Sequence, residues 1–173
     1  MNPKGAAISE DGKYRYLLWR NWDPEKLKVV FIGLNPSAAD AIVDDPTVRR
    51  CIGYAKTWGY GGLRLLNLFA FRTVSPKLLV KAQDPVGPKN DHYLETYSMS
   101  GSCLIACWGT FGSFRGRQGE VLASLPLSKV YCLGLTQGGN PKHLLYLRKS
   151  LAPTPWKGLR PRLWFDSEEG GHG

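Results

Sequence analysis

The sequence contains no apolar run that approaches the roughly 20 residues required by a membrane-spanning helix. Its first ten residues are small and polar, without the basic segment and apolar stretch of a secretory signal, so we expect a cytoplasmic protein with no membrane partner. Three kinds of catalytic motif are also missing: a phosphate-binding G-x-x-x-x-G-K-[ST] loop, a zinc-binding H-E-x-x-H helix, and a serine with a nearby base motif. These absences argue against ATP hydrolysis, zinc proteolysis and acyl transfer.

Cysteine is scarce, and its spacing fits no known cluster. The four cysteines at positions 51, 103, 107 and 132 match neither a C-x-x-C metal knuckle nor a small disulfide framework. Two of them flank an apolar run, where a thiol usually serves as a small core side chain. We therefore expect reduced, mostly buried thiols, and we expect neither a bound metal nor another cofactor.

Acidic residues are outnumbered, with 14 Asp and Glu against 23 Lys and Arg, which gives a formal net charge of +9. A cationic surface favours polyanionic partners, because neutralised phosphates release counterions, and DNA is the first candidate. The alternative is a basic protein whose charge is merely spread along the chain. Six Trp and eight Tyr argue against disorder. The length suits one α/β domain over residues 1–155, which we expect to be monomeric, with a partly packed extension over 156–173 whose last residues are flexible.

Apolar runs alternate with segments of helical spacing, which is typical of β-α-β crossovers. "KYRYLLWRNW" alternates apolar and polar residues, as expected of an edge strand. "KVVFIGL", "LRLLNLF", "CLIACWG" and "KVYCLGL" resemble strands buried on both faces. We predict helices near residues 47–58, 73–81, 91–100 and 118–124. The predicted fold is a three-layer α/β/α sandwich with a central, mainly parallel four-stranded sheet and one N-terminal edge strand.

Ligands of open parallel sheets bind beyond the carboxyl ends of the strands, and several polar residues follow those ends here. Two amides can read the edge of a heterocycle, an imidazole can stabilise a leaving anion, and glycines admit a ligand close to the backbone. These groups predict a nucleobase site. Its predicted members are Gly33, Leu34, Asn35, Pro36, Ser37, Asn67, Trp108, Gly138, Gly139 and His143.

The segments "FIGLNPS", "LRLLNLFAFR", "CLIACWGTFG" and "YCLGLTQGGNPKHLLYL" resemble, in their order and spacing, the landmark motifs of the uracil-DNA glycosylase superfamily. That superfamily has a strand ending in G-x-N-P or G-x-D-P, a second ending in L-L-N or I-T-N, an L-W-G segment, and a loop with H-P or N-P. A closer resemblance, over nearly the full length, is to an uncharacterised bacterial and phage family marked by "GLNPS", "DPVGP-N" and "PKH-LYL".

The resemblance to the glycosylases implies roles for individual residues. Asn35 would hold the attacking water, Asn67 would read a base extruded from the DNA stack, and His143 would face the departing base. Leu144 or Leu145 would fill the vacated stack. The iron–sulfur branches carry cysteines ahead of the first motif, and this chain has none there, so no cluster is expected. The predicted DNA-backbone contacts are Arg49, Arg50, Arg72, Arg115, Arg117, Lys142 and Arg148.

Some features differ from the glycosylase pattern. Pro141 and Lys142 precede His143, whereas the superfamily places the histidine before a proline. No aromatic residue lies between positions 37 and 50, which leaves Tyr54, Phe69 or Trp108 to stack on the base. Asp45 has two interpretations, as the N-cap of the following helix or as a catalytic carboxylate that orients water.

The sequence therefore predicts a DNA glycosylase-like hydrolase that recognises a nucleobase, modified and deaminated bases included, and cleaves its N-glycosidic bond. Two alternatives stay open. One is a non-catalytic nucleic-acid binding module that keeps the crevice without the water-activating geometry. The other is an enzyme that acts on free nucleotides or nucleosides.

Overall fold

The computed structural model describes residues 2–158, which form an α/β fold around one mixed seven-stranded sheet. The spatial order of the strands is β1-β2-β4-β3-β5-β6-β7. The strands are β1 (Lys4–Ile8), β2 (Arg15–Asn21), β3 (Lys28–Gly33), β4 (Gly62–Asn67), β5 (Leu104–Ala106), β6 (Val130–Cys132) and β7 (Thr154–Pro155). The helices are α1 (Pro46–Thr57), α2 (Pro76–Lys81), α3 (Asn90–Ser100) and α4 (Arg117–Ser124).

The strands at the centre of the sheet are parallel, and those at its edges are antiparallel. β3 pairs in parallel with β4 and with β5, and β5 pairs in parallel with β6. β1, β2 and β7 are antiparallel to their neighbours. The α/β class predicted from the sequence is confirmed, whereas the prediction of a single N-terminal edge strand is wrong. Residues Lys4–Ile8 pair with β2 as a further strand, which the small residues of this segment did not indicate.

Helices cover both faces of the sheet, because successive residues of each buried strand point to opposite sides. Val29 and Phe31 of β3 pack in one apolar cluster with α1, while Val30 and Ile32 pack in the other cluster. That second cluster includes Leu79 of α2, Leu94 of α3 and Val121 of α4. This two-sided burial explains the continuous apolar run of β3.

The start of α1 follows the signals in the sequence. Asp45 has extended backbone geometry, its side chain accepts a hydrogen bond from the Val48 amide, and Pro46 occupies the first helical position. α1 thus begins at the carboxyl end of β3, after the loop that carries Asn35 and Ser37. The helix and the loop place polar groups on the same rim of the sheet.

The C-terminal segment packs against the body as far as the structure describes it. Trp156 is buried, and its ring meets that of Trp108 edge to face at 5.5 Å between centroids. The predicted packing and flexibility of the residues after 158 lie outside the described residues. Within residues 2–158, no helix is long and apolar enough to cross a membrane.

Candidate functional site

A cavity of about 360 Å³ opens at the carboxyl ends of β3 and β4, beside the N-terminus of α1. Asn35, Asn67 and His143, which are distant in sequence, all line it. They come from the loop after β3, from the last residue of β4, and from the segment after β6. The structure therefore brings together the two amides and the imidazole that were predicted to share one site. Gly33, Leu34, Ser37, Asp45 and Trp108 also contribute to the wall.

Backbone carbonyl groups fix the orientation of the Asn35 side chain. Its Nδ2 donates hydrogen bonds to the carbonyl oxygens of Pro36 at 3.1 Å, Phe71 at 3.3 Å and Thr73 at 2.8 Å. Three acceptors around one atom identify it as the amide nitrogen. Oδ1 is then the polar atom that Asn35 can offer to the cavity, and it is a hydrogen-bond acceptor held in a fixed position.

Asn67 is a buried amide whose donor has no partner. Only 3% of the residue is exposed, and Nδ2 makes no hydrogen bond within the described part of the chain. Buried polar groups nearly always have a hydrogen-bond partner, and a buried donor without one costs about 1–3 kcal/mol of stability. Gly33 allows this arrangement, because a Cβ there would lie 2.9 Å from the Asn67 Oδ1. Asn67 thus combines an unsatisfied buried donor with a place in the cavity lining, which makes it a candidate contact for a ligand.

His143 stands at the opening of the cavity as a neutral donor. Its Nδ1 accepts a hydrogen bond from the Leu145 amide at 3.2 Å, so in the neutral ring the proton lies on Nε2. Partial desolvation lowers the pKa of His143 below its ordinary value, and the nearby Asp45 carboxylate acts in the opposite direction. The ring therefore offers an uncharged Nε2–H at neutral pH.

Asp45 has both carboxylate oxygens engaged. Oδ1 accepts from the Val48 amide at 2.9 Å, and Oδ2 accepts from the Ser37 hydroxyl at 2.8 Å. The first bond caps α1, and the second fixes the loop that follows Asn35. Of the two interpretations left open by the sequence, the capping role has a direct structural basis, and Asp45 also sets the electrostatic environment of His143.

Arg15, which was not among the predicted site residues, also lines the cavity. It is 2% exposed, its Nη1 donates to the Ala39 carbonyl at 3.0 Å, and its Nε has no partner among the described residues. Desolvation lowers its pKa to about 10, so the guanidinium stays charged at neutral pH. The only available signal was a charged residue within an otherwise apolar and aromatic strand.

A β-bulge explains why the alternation of residues along β2 does not predict that Arg15 faces the cavity. The pairing passes from Ala7 with Leu17 to Ile8 with Arg15, which skips Tyr16. Simple alternation would turn Arg15 to the same face as Leu17, which packs in the α2–α4 cluster. The skipped residue turns Arg15 instead toward the cavity beside α1.

Trp108 and Cys107 are wall residues without an available reactive group. The Trp108 indole is 1% exposed, donates from Nε1 to Gln118 at 2.9 Å, and packs on Trp156. The prediction that the Trp108 ring stacks on a ligand is wrong, because the ring is buried in the apolar core. Burial raises the pKa of the Cys107 thiol to about 12, which keeps it protonated. All four cysteines are free and buried, as predicted.

Other predicted site residues lie away from the cavity lining. Pro36 is buried behind Asn35, while Gly138 and Gly139 form the turn between Thr136 and Asn140. The substitutes proposed for the stacking aromatic, Tyr54 and Phe69, belong to the two core clusters. Their apolar surroundings bury them fully, so they cannot reach a ligand in the cavity.

The predicted DNA-backbone residues occupy several different environments. Arg117 is 3% exposed, pairs with Asp91 and Glu120, and donates from Nε to the Leu68 carbonyl. The prediction that Arg117 contacts a DNA phosphate is wrong, because its buried guanidinium already pairs with two carboxylates of the protein. Arg115 donates to carbonyl groups of Ala82 and Gln83, on the α2 side of the sheet.

The remaining cations are less tightly held. Arg72 donates to the Gly12 carbonyl, Arg49 to the Asp44 carbonyl, and Arg50 stacks on the Tyr54 ring. Lys142 and Arg148 are exposed on either side of the segment that carries His143. Arg49, Lys142 and Arg148 are therefore the predicted contacts that combine exposure with sequence proximity to cavity residues.

The two wedge candidates differ in exposure. Leu144 is completely buried in the cluster beneath α1, so its predicted insertion into DNA is wrong. Leu145 lines the cavity and is half-buried. The adjacent Tyr146, which was not among the predicted site residues, is 92% exposed. An exposed aromatic ring next to the opening can stack on a base or replace one.

Comparison with known proteins places the chain in a family without an assigned activity. Residues 15–145 match the family described as "Protein of unknown function (DUF1643)", and the chain belongs to it. The match covers β2 to β6, α1 to α4 and every cavity residue discussed above. No curated protein and no solved structure shows significant similarity to the chain.

Proposed function

We propose that this member of the DUF1643 family is a glycosylase-like hydrolase that binds one nucleobase of DNA in the cavity and cleaves its N-glycosidic bond. The observation that carries the proposal is the unpartnered, buried Nδ2 of Asn67 in the same small cavity as Asn35 and His143. The cavity volume of about 360 Å³ lies within the range of small-molecule sites and suits a single base with its sugar.

Base recognition would depend on Asn67. Its amide can donate from Nδ2 to a ring carbonyl and accept at Oδ1 from a ring N–H, and this pattern is shared by the edges of several nucleobases. Because Nδ2 has no internal partner, a bound carbonyl would satisfy a group that is otherwise unpaired. A base without an acceptor at that position would leave Nδ2 of Asn67 unpaired and would therefore bind more weakly.

Bond cleavage would use Asn35 and His143. As the bond between C1′ and the base nitrogen breaks, its electron pair passes to the base, and Nε2–H of His143 donates a hydrogen bond to the resulting anion. Oδ1 of Asn35 accepts from a water molecule and holds its oxygen for bonding to the electron-deficient C1′. The proton released by that water passes to solvent, and the departed base is protonated there.

DNA is favoured as the substrate by the charge of +9 and by exposed groups that are close in sequence to cavity residues. Lys142 and Arg148 flank the His143 segment, and Arg49 lies in the first turn of α1. Exposed cations of this kind contact phosphates and position a strand without reading its sequence. Tyr146 would occupy the space left in the stack when the base enters the cavity.

A second candidate is hydrolysis of free nucleosides or nucleotides. It is favoured by the internal engagement of Arg117 and by the position of Arg115 on a different side of the sheet. Both features reduce the cationic surface available to a DNA strand.

One experiment tests both candidates. The protein is incubated with single- and double-stranded oligonucleotides that carry uracil, hypoxanthine, mismatches or modified bases, and in parallel with free nucleosides and nucleotides. Base release is followed by chromatography, and abasic sites are detected by alkaline scission. We expect base release from DNA in the wild type and its loss in Asn35→Ala and Asn67→Ala.

The matched control is Asn140→Ala, which removes an amide from a turn outside the cavity lining. Release from free nucleosides alone would select the second candidate. No base release from any substrate, combined with no DNA binding, would rule out the hydrolase. DNA binding without base release would instead indicate the non-catalytic module.

A further inference from the structure

The charge of Arg15 lacks an internal counter-charge in direct contact. Arg15 is 2% exposed, yet its guanidinium forms no ion pair within 4.0 Å in the described part of the chain. One carbonyl, that of Ala39, accepts from Nη1, and Nε is unsatisfied. Buried charges are otherwise paired or bound to a ligand, because an isolated one is costly to desolvate.

Arg20, on the same strand, shows how this fold treats a buried arginine that has a purely structural role. It is also buried, and its guanidinium pairs with the Asp44 carboxylate at 2.7 Å. Its nitrogens also donate to the carbonyl oxygens of Gly5, Trp19 and Asp40. The two arginines are five positions apart, and the unpaired one is the one that lines the cavity.

The surroundings of Arg15 favour an anion. β2 lies next to β4, so Arg15 reaches the cavity from the strand beside the one that ends in Asn67. Thr47, in the first turn of the twelve-residue helix α1, lines the same cavity. A helix N-terminus carries partial positive charge, which adds to that of the guanidinium. The Asp45 carboxylate opposes an anion, but its oxygens are held by Val48 and Ser37.

We infer that the cavity selects a ligand that carries an oxyanion, and that Arg15 binds this group beside the base-reading amide of Asn67. The inference rests on the proposed function only in taking the ligand to be a nucleobase. The oxyanion can belong to the ring, as in a carboxylated pyrimidine, or to the phosphate of the nucleotide. Arginine matches both groups, because its planar fork donates two parallel hydrogen bonds to a carboxylate or a phosphate.

The test compares matched probes by calorimetry on the full chain at constant ionic strength. Orotate is compared with uracil, which lacks the carboxylate, and uridine 5′-monophosphate is compared with uridine. We expect the anionic member of at least one pair to bind about 10- to 100-fold tighter, as a charged hydrogen-bonded pair provides. Preference for orotate identifies a ring substituent, and preference for the monophosphate identifies the nucleotide phosphate.

Variants then assign the preference to Arg15. Arg15→Met should abolish it while leaving the ligand-free melting temperature unchanged or higher, because an unpaired buried charge is removed. Arg20→Met is the matched control, and it should lower the melting temperature by leaving Asp44 without its partner. Its remaining folded fraction should keep the anion preference at low temperature.

Equal affinities within both pairs in the wild type would overturn the inference without recourse to any variant. An anion preference that survives Arg15→Met would also overturn it. Failure of the proposed function has a different signature, since abasic product would be missing while orotate or the monophosphate still bound more tightly than its neutral counterpart.

Discussion

Two buried asparagines near the carboxyl end of β4 differ in their hydrogen bonds, and this difference indicates a structural role for one and a binding role for the other. The buried Asn90 donates from Nδ2 to the carbonyl oxygens of Asn67 and Leu68, both at 3.0 Å, whereas Nδ2 of Asn67 donates to nothing in the described chain. Asn90→Ala should therefore lower the free energy of unfolding by about 2 kcal/mol, since it removes two buried hydrogen bonds. Asn67→Ala should lower it by less than about 1 kcal/mol, because no hydrogen bond of Nδ2 is lost. Denaturant titration measures both changes, and a larger loss in Asn67→Ala would indicate a structural amide.

The ionisation of His143 should set the acid limit of activity. Its pKa is lowered, so the unfolded state binds the proton at a higher pH than the folded state does. The stabilising effect of the neutral ring is therefore complete above the ordinary pKa of 6.5 and is lost as the pH falls toward the folded value. Base release should be constant at neutral pH and decline below this ordinary value, as Nδ1 takes up a proton and loses the Leu145 bond.

Nitrogen NMR and pH–rate profiles check this prediction. The neutral ring should show the proton on Nε2, and His143→Gln, which keeps a donor that does not titrate, should remove the acid decline. An unchanged decline in that variant would assign it to another group.

At the scale of elements, the N-terminus of α1 connects stability to the site. Asp45→Ala removes the N-cap and should cost about 1 kcal/mol of unfolding free energy. Asp45→Asn keeps an oxygen for the Val48 amide, so its stability should stay close to that of the wild type. Because both carboxylate oxygens are engaged, we also expect Asp45→Asn to retain base release within about tenfold. A loss of activity by several orders of magnitude in Asp45→Asn, with normal stability, would show that Asp45 acts as a catalytic base.

The elements that could be predicted are those whose sequence pattern depends on burial alone. The run "KVVFIGL" identified β3, and Asp45 with Pro46 identified the start of α1. β6 is shorter than its apolar run, and the positive φ of 147° at Gly134 shows that the chain has already left the extended conformation there. β1 and β7 were missed because edge strands need little apolar surface, and their pairing is decided by tertiary contacts.

The composition of the site was predictable in part for a related reason. Parallel strands deliver their following residues to one rim, so Asn35, Asn67 and His143 could be placed together from strand ends alone. Arg15 could not, because its orientation depends on a bulge in the β1–β2 pairing. Arg117 was misjudged because sequence charge does not show whether a guanidinium has internal carboxylates.

For the whole molecule, the charge of +9 matters only where cations are exposed on the surface that meets DNA. Lys142→Gln and Arg148→Gln, at exposed positions that flank the His143 segment in the sequence, should each reduce the slope of log affinity against log salt by about 0.9 for duplex DNA. Lys26→Gln is the control, because Lys26 lies before β3, at the opposite end of the parallel strands from the cavity, and should leave the slope unchanged. Fluorescence anisotropy at several salt concentrations measures these slopes, and equal effects of Lys26→Gln and Lys142→Gln would show that the cavity rim is not where DNA binds.

Tyr146→Ala should weaken DNA binding, as measured by the same anisotropy titrations, without changing the affinity for a free base, since the ring lies outside the cavity lining.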